Sequence, residues 1–293
     1  MNLFGIIEEI EKIDPDFQDR INPRRDAIKN ITSFGSKVAV AALPFALGSI
    51  FKKAYGAAAS TTDVIGVLNF ALTLEHLEAA FYNQGLGTSG LVTDSSYITP
   101  IQTDENNHVT FLTSVITSLG GTPVAANAAG YDFTAGGTFP TVFSNYQTFL
   151  AVAETLEDTG VRAYKGQAGT LAGNQTVLTA ALSIHAVEAR HASAIRYLRM
   201  SKYGVSIYPW ITSPTASGSD VSGANSNDTG ITAVNGNYGG ATAENTTVQG
   251  GVNILTLASV ESSSSTSVAT ATAAFDEPLT TNEVLALVTP FIK

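Results

Sequence analysis

Apolar positions recur at helical spacing over four stretches in the middle of the chain. In the first, about Thr61 to Gln84, Ile65, Leu68, Leu72 and Leu77 fall three to five residues apart, and Asp63 stands where it can cap the start. The second runs from about Pro100 to Leu119 and stops at Gly120-Gly121. The third spans about Pro140 to Gly169, the fourth about Asn174 to Met200. About 15 residues rich in Gly, Ser and Thr join the first two helices, and a few residues around Leu171-Ala172-Gly173 join the last two. Some twenty residues, Gly120 to Phe139, separate the two hairpins. Fully extended, such a linker reaches about 66 Å, more than the roughly 30 Å length of a 20-residue helix. It can therefore cross a whole bundle. The pattern predicts an all-α core, a four-helix bundle with a long crossover between helices 2 and 3.

The flanks read differently. Residues 206–293 form an extension in which 212–273 are dominated by Ser, Thr, Gly, Asn and Ala, an irregular, Ser/Thr/Gly-rich segment where patches such as Gly251 to Thr256 can pair as short strands. The chain closes with Phe275-Asp276-Glu277-Pro278-Leu279-Thr280 and a helical stretch, Thr281 to Phe291, whose Leu285, Leu287, Val288 and Phe291 need a surface to cover them. Residues 1–59 combine Arg24-Arg25, an apolar stretch Val38–Phe51 and the small-residue run Ala57-Ala58-Ala59-Ser60, the three parts of an export leader of the twin-arginine type. Pro23 and Ala27 depart from that pattern, and an amphipathic N-terminal helix is the alternative. The division expected is thus 1–59, a bundle over 60–205, and the extension 206–293. Export to the periplasm or cell exterior follows from the leader, a cytoplasmic location from the alternative.

Charge narrows the function. Charged residues are only 14% of the chain and the net charge is −10, which argues against nucleic acid, whose binding needs a basic face. Cysteine is absent, so thiolate metal sites, iron–sulfur clusters and cysteine nucleophiles are excluded. No uninterrupted apolar run reaches the roughly 20 residues of a membrane span.

Between residues 60 and 200 there are six glutamates (Glu75, Glu78, Glu105, Glu154, Glu157 and Glu188) and one lysine, Lys165. A solvated helix face mixes Glu with Lys, so these acids are not ordinary surface residues, and the scarcity of lysine points to covered faces and a homo-oligomer. Glu75/Glu78 and Glu154/Glu157 lie three apart, while Glu105/His108 and Glu188/His191 are Glu-x-x-His pairs. Residues at i and i+3 share one helix face. Each of Glu75 and Glu157 is followed seven residues later by a tyrosine, Tyr82 and Tyr164, and then by Glu-x-x-His after 30 and 31 residues. Each half thus supplies the same polar set in register. Buried carboxylates without a cation are costly, and two adjacent metal ions in a bundle need carboxylates to neutralise them and one imidazole apiece. That donor set suits iron or manganese.

The stretches Asn69 to Tyr82 (NFALTLEHLEAAFY) and Ser183 to His191 (SIHAVEARH), with the closing Phe275–Leu279, resemble the ferritin-like proteins related to plant desiccation-associated and fungal stress-response proteins. The likeness covers roughly 61–210 and 275–292, and the ligand spacing is similar to that of rubrerythrin and bacterioferritin. The resemblance implies a ferritin-like four-helix bundle in which Glu75, Glu105, His108, Glu157, Glu188 and His191 hold two iron or manganese ions. It further implies that Tyr82 and Tyr164 support the ligands by hydrogen bonds, and that Glu154 matches rubrerythrin's extra glutamate, which can join the ligands. Glu78 is an additional acid able to displace Glu75, and His185 a candidate for a supporting role. His76, one position from Glu75, reads as a packed or surface residue, and Arg190, Arg196 and Arg199 as an ion-pairing edge. Three functions follow: a redox enzyme acting on a small oxidant or metal ion, of peroxidase, catalase or oxidase type; a non-enzymatic stress or envelope protein built on the same bundle, binding metal structurally or not at all; and, third, a cage-forming iron store.

Overall fold

A computed structural model describes residues 60–205, 207–211, 238, 244–256, 258–259, 262–265 and 271–293. The leader expected over residues 1–59 lies outside them, as does most of 212–273. Four long helices form the core: α1 (Thr61–Gly87), α2 (Ser95–Ser118), α3 (Tyr146–Gln167) and α4 (Gln175–Tyr203). Helix α1 pairs with α2 and α3 with α4, so the bundle is two helical hairpins joined by the 119–145 crossover.

The ends follow local chemistry. Ser60 and Asp63 cap α1 reciprocally. Asn145 accepts from the N–H groups of Gln147 and Thr148 at 2.9 and 3.1 Å, so α3 begins at Tyr146 rather than at Pro140. Helix α2 begins before Pro100, which lies inside it, and the first loop is correspondingly shorter than its composition suggested. Gly204, at φ 64°, ends α4 in the left-handed region. The crossover is fastened to α1: the Asn69 side chain donates to the Thr122 carbonyl and accepts from Val124 N–H at 2.7 Å, and the His76 ring lies 3.2 Å from the Val124 carbonyl.

Helix α1 contains an 18-residue window of mean hydropathy 1.4, long and apolar enough to cross a membrane, a signal that counting uninterrupted apolar runs missed. More than half of that window is buried within the bundle, and it carries Glu75 and Glu78 inward.

Helix α3 is buried along almost its whole length, charged residues included. The extension makes that tolerable. Its last helix, α5 (Thr281–Val288), is capped by a Thr280/Glu283 box and continued by a 3-10 turn to Phe291. Val284, Val288 and Phe291 face inward, whereas Leu285, expected to be covered, is exposed. Before it, a strap of residues 276–279 lies directly on α3. Leu279 N–H donates to the Arg162 carbonyl at 3.1 Å, and Lys165 donates to the Asp276 carbonyl. Arg162 donates to the Glu277 carbonyl at 2.8 Å and pairs with the Glu244 carboxylate at 2.7 Å. A Cβ at Gly166 would collide with the Leu279 carbonyl, so glycine is what lets the strap approach. The expected pairing near residue 251 is a hairpin of β1 (Val248–Gln249) and β2 (Val252–Asn253) around Gly250-Gly251, both at positive φ. Residues 254–256 form a 3-10 turn instead of extending it. A second short pair joins β3 (Ala258–Ser259) to β4 (Ser262–Ser265).

Candidate metal centre

One polar cluster sits between the four helices. Helix α1 contributes Glu75, α2 contributes Glu105 and His108, α3 contributes Glu157, and α4 contributes Glu188 and His191. The four glutamates are wholly buried, and the two histidines are 9% and 5% exposed. Their ligand atoms form two groups, each within 4.8 Å: Glu75, Glu105, His108 and Glu188; and Glu105, Glu157, Glu188 and His191. Glu105 and Glu188 belong to both.

The atoms aim at common points rather than at each other. His191 Nδ1 is 2.8 Å from Glu105 Oε1 and 3.3 Å from Glu157 Oε2, yet neither contact is aligned as a hydrogen bond. Glu105 Oε1, Glu157 Oε2, both Glu188 oxygens and His191 Nδ1 have no hydrogen-bond partner among the described residues. Leaving so many buried polar atoms unpaired is costly. His108 Nδ1 lies 3.1, 3.3 and 3.4 Å from Glu75, Glu105 and Glu188.

Electrostatics point the same way. Burial alone would lower the histidine pKa values. The surrounding carboxylates reverse this and push both His108 and His191 up to about 12. Burial raises Glu105 to about 7 against the hydrogen-bonding pull of the two histidines. Burial and then the neighbouring carboxylates hold Glu188 and Glu78 well above the ordinary range. Crowded acids of this kind need positive charge among them, either protons or cations. Four carboxylates and two neutral imidazoles match the charge and donor preference of two divalent ions, so the residues fit such a pair.

The tyrosines brace the cluster crosswise. Tyr82 on α1 donates to Glu157 on α3 at 2.5 Å, and Tyr164 on α3 donates to Glu75 on α1. Burial raises both phenols well above their usual pKa, which keeps them as donors.

Three residues expected near the metal serve elsewhere or differently. Glu154 lies in neither group. It accepts from Arg199 at 2.8 Å and faces Arg196 at 3.5 Å. The reason is register: α3 and α4 are antiparallel, so a step back along α3 from Glu157 meets residues beyond His191 on α4. Asp158 joins the same buried network through Arg196 at 2.5 Å and Tyr238. His185 Nδ1 lies 2.9 Å from the Val161 carbonyl and braces α4 against α3. Glu78 is buried beside the cluster, but in neither group.

Two residues escaped the sequence reading. Asp104 Oδ2 lies 3.2 Å from His191 Nε2 and orients that ring from outside. Gly160 leaves room for the acids: a Cβ there would stand 2.7 Å from Glu188 Oε2 and 3.3 Å from Glu78 Oε1. A signal for Gly160 existed. It lies three residues after Glu157, where the first half has Glu78 three after Glu75.

Residues 63–201 match the family model of the ferritin-like domain, and the bundle they build is a ferritin-like domain. No curated protein matches the chain.

Proposed function

We propose that the bundle holds a dinuclear iron or manganese centre and carries out redox chemistry on dioxygen or peroxide. The observation that supports this best is the pair of buried donor groups sharing Glu105 and Glu188, with oxygens and a ring nitrogen left without hydrogen bonds. Glu105 and Glu188, common to both groups, would help hold both ions. Glu75 with His108, and Glu157 with His191, would complete one side each. A bound pair of such ions would supply reversible electron transfer. The protein's own part is to hold and insulate. Tyr82 and Tyr164 fix the outer carboxylates by donating to them, Asp104 sets the ring orientation of His191, and the apolar layers above and below keep bulk water away. With every donor buried, the substrate is a molecule of a few atoms.

Membership of the desiccation-related branch, a role in stress protection, export through residues 1–59 and assembly into a homo-oligomer are parts of the same proposal and are supported by the sequence. The test is elemental analysis of the full chain purified without chelator. About two iron or manganese ions per chain are expected, with loss of both metal and peroxide turnover in the Glu105→Ala/Glu188→Ala variant. Peroxide turnover unchanged in that variant would remove the enzyme and leave the scaffold reading.

A further inference from the structure

The two halves of the bundle repeat with an offset of 82 residues across α1 and α3: Glu75 matches Glu157, and Tyr82 matches Tyr164. Around the two tyrosines the repeat breaks. Beside Tyr82 the space is filled. The Phe149 ring, wholly buried, lies edge-on to Tyr82 with centroids 6.1 Å apart, and it packs so tightly on Gly85 that a Cβ there would collide with it. The residues matching Phe149 and Gly85 are Val67 and Gln167. Both line a cavity of about 20 Å³ beside Tyr164. Where one half carries a phenyl ring, the other has a valine and a hollow.

The hollow is apolar and narrow. Its lining includes Phe111, 42% exposed, and the buried Leu112, Leu171, Ala181 and Tyr164. Its polar side groups are engaged elsewhere: the Tyr164 hydroxyl donates to Glu75, and the Gln167 amide donates to Thr281 at 3.0 Å. A buried water needs about two to four polar partners and at least roughly 10–15 Å³. The space suffices, but the partners are missing. A small molecule that needs no hydrogen bonds fits instead.

We propose that this cavity is a docking pocket for dioxygen, placed against the tyrosine that braces Glu75, so that oxygen approaches the cluster from the Glu75/His108 side. The inference rests on reading the cluster as a redox centre. Hydrogen peroxide, which needs hydrogen-bond partners, does not use the pocket.

The first experiment requires no metal. Methyl NMR of the full chain is recorded with dissolved oxygen, whose paramagnetism speeds relaxation of the methyl groups it visits. Leu68, Leu112, Leu171 and Ala181 are expected to relax several-fold faster than Leu150 and Val152, buried in the filled half. Val67→Phe, which copies the plug of the other half, is expected to abolish the difference. In protein loaded with ferrous ammonium sulfate, the same variant is expected to consume dissolved oxygen several-fold more slowly at low oxygen, with iron binding and peroxide consumption unchanged. Should Val67→Phe fail to fold, Val67→Leu gives a graded version of both effects. Cavity methyl groups that relax no faster than Leu150 overturn the pocket, and so does oxygen consumption that is unaffected once the cavity is filled. Fast relaxation in a wild-type protein that consumes no oxygen supports the pocket and removes the redox reading.

Discussion

Gly160→Ala separates what holds the fold from what would hold the proposed metal pair. The new Cβ would stand 2.7 Å from Glu188 Oε2, about 0.7 Å inside ordinary contact, and 3.3 Å from Glu78 Oε1. The opposing group is the end of a side chain, so it can swing aside. Overpacking of this kind costs about 1–3 kcal/mol, and alanine in place of a mid-helix glycine returns about 0.5–1 kcal/mol. The net effect on the chelated protein is a loss of no more than about 2.5 kcal/mol. The same swing moves a carboxylate shared by both donor groups, and functional constellations tolerate only about 0.5 Å of displacement. Metal affinity is therefore expected to fall at least as far as on loss of a supporting contact, about 10–100-fold. Calorimetric titration with ferrous or manganous ion gives the affinity, and urea unfolding in chelator gives the stability. Unchanged affinity, or a stability loss above about 4 kcal/mol with affinity kept, would refute the placement of Glu188 against Gly160.

Asp104→Asn is expected to weaken one ion and spare the other, because the residue matching Asp104 in the second half is Val187 and, among the described residues, no carboxylate braces His108 from outside in the same way. A titration that becomes biphasic supports this, and equal weakening at both steps contradicts it. The chelated protein is expected to melt at progressively lower temperature from pH 5 to pH 9. Glu105, raised from 4.5 to about 7, loses stabilisation across that interval, as do Asp158, raised from 3.8 to about 6, and Glu244, raised from 4.5 to about 8; His108 and His191, raised from 6.5 to about 12, lose theirs above 6.5. In every case the folded state holds the proton more tightly, so stability falls as pH rises; a melting temperature that climbs over this range in thermal scans is incompatible with the buried acids. Arg162→Ala removes the guanidinium beside buried Glu244, which still accepts from the Glu277 N–H and holds its proton at neutral pH, and should cost about 1–3 kcal/mol in urea unfolding, whereas a loss below about 1 kcal/mol would mean that the strap is held by other contacts.

The bundle and the buried Glu/His cluster were legible because they obey short-range rules. Helical spacing marks α1 to α4, and the i, i+3 geometry puts Glu105 with His108 and Glu188 with His191 whatever the helices pack against. The rest depended on register between helices. Nothing along α3 distinguishes Glu154, three before Glu157, from a residue facing the cluster. Only the antiparallel pairing with α4 assigns it to Arg199. Asp104 is invisible for the same reason, since its partner is on another helix. The closing segment Phe275–Leu279 stood out in the sequence only by its resemblance, and its role as a strap on α3 came from Arg162 and Gly166, positions that look unremarkable until the strap's carbonyl oxygens are beside them.

These differences share a pattern. The positions that would touch the ions repeat faithfully between the halves, as do the tyrosines that brace them, while three other positions one layer out do not: Glu78 against Gly160, Asp104 against Val187, Phe149 against Val67. The first mismatch is spatially complementary, because the room left by glycine is where the acids of both halves reach. The second gives one imidazole a carboxylate partner and denies it to the other. The third fills one flank and hollows the other. A symmetric cradle with asymmetric surroundings would make the two proposed metal positions inequivalent in affinity and access without altering a single candidate ligand. A swap of Val67 and Phe149 should therefore move the open side from Tyr164 to Tyr82 while the metal content stays the same.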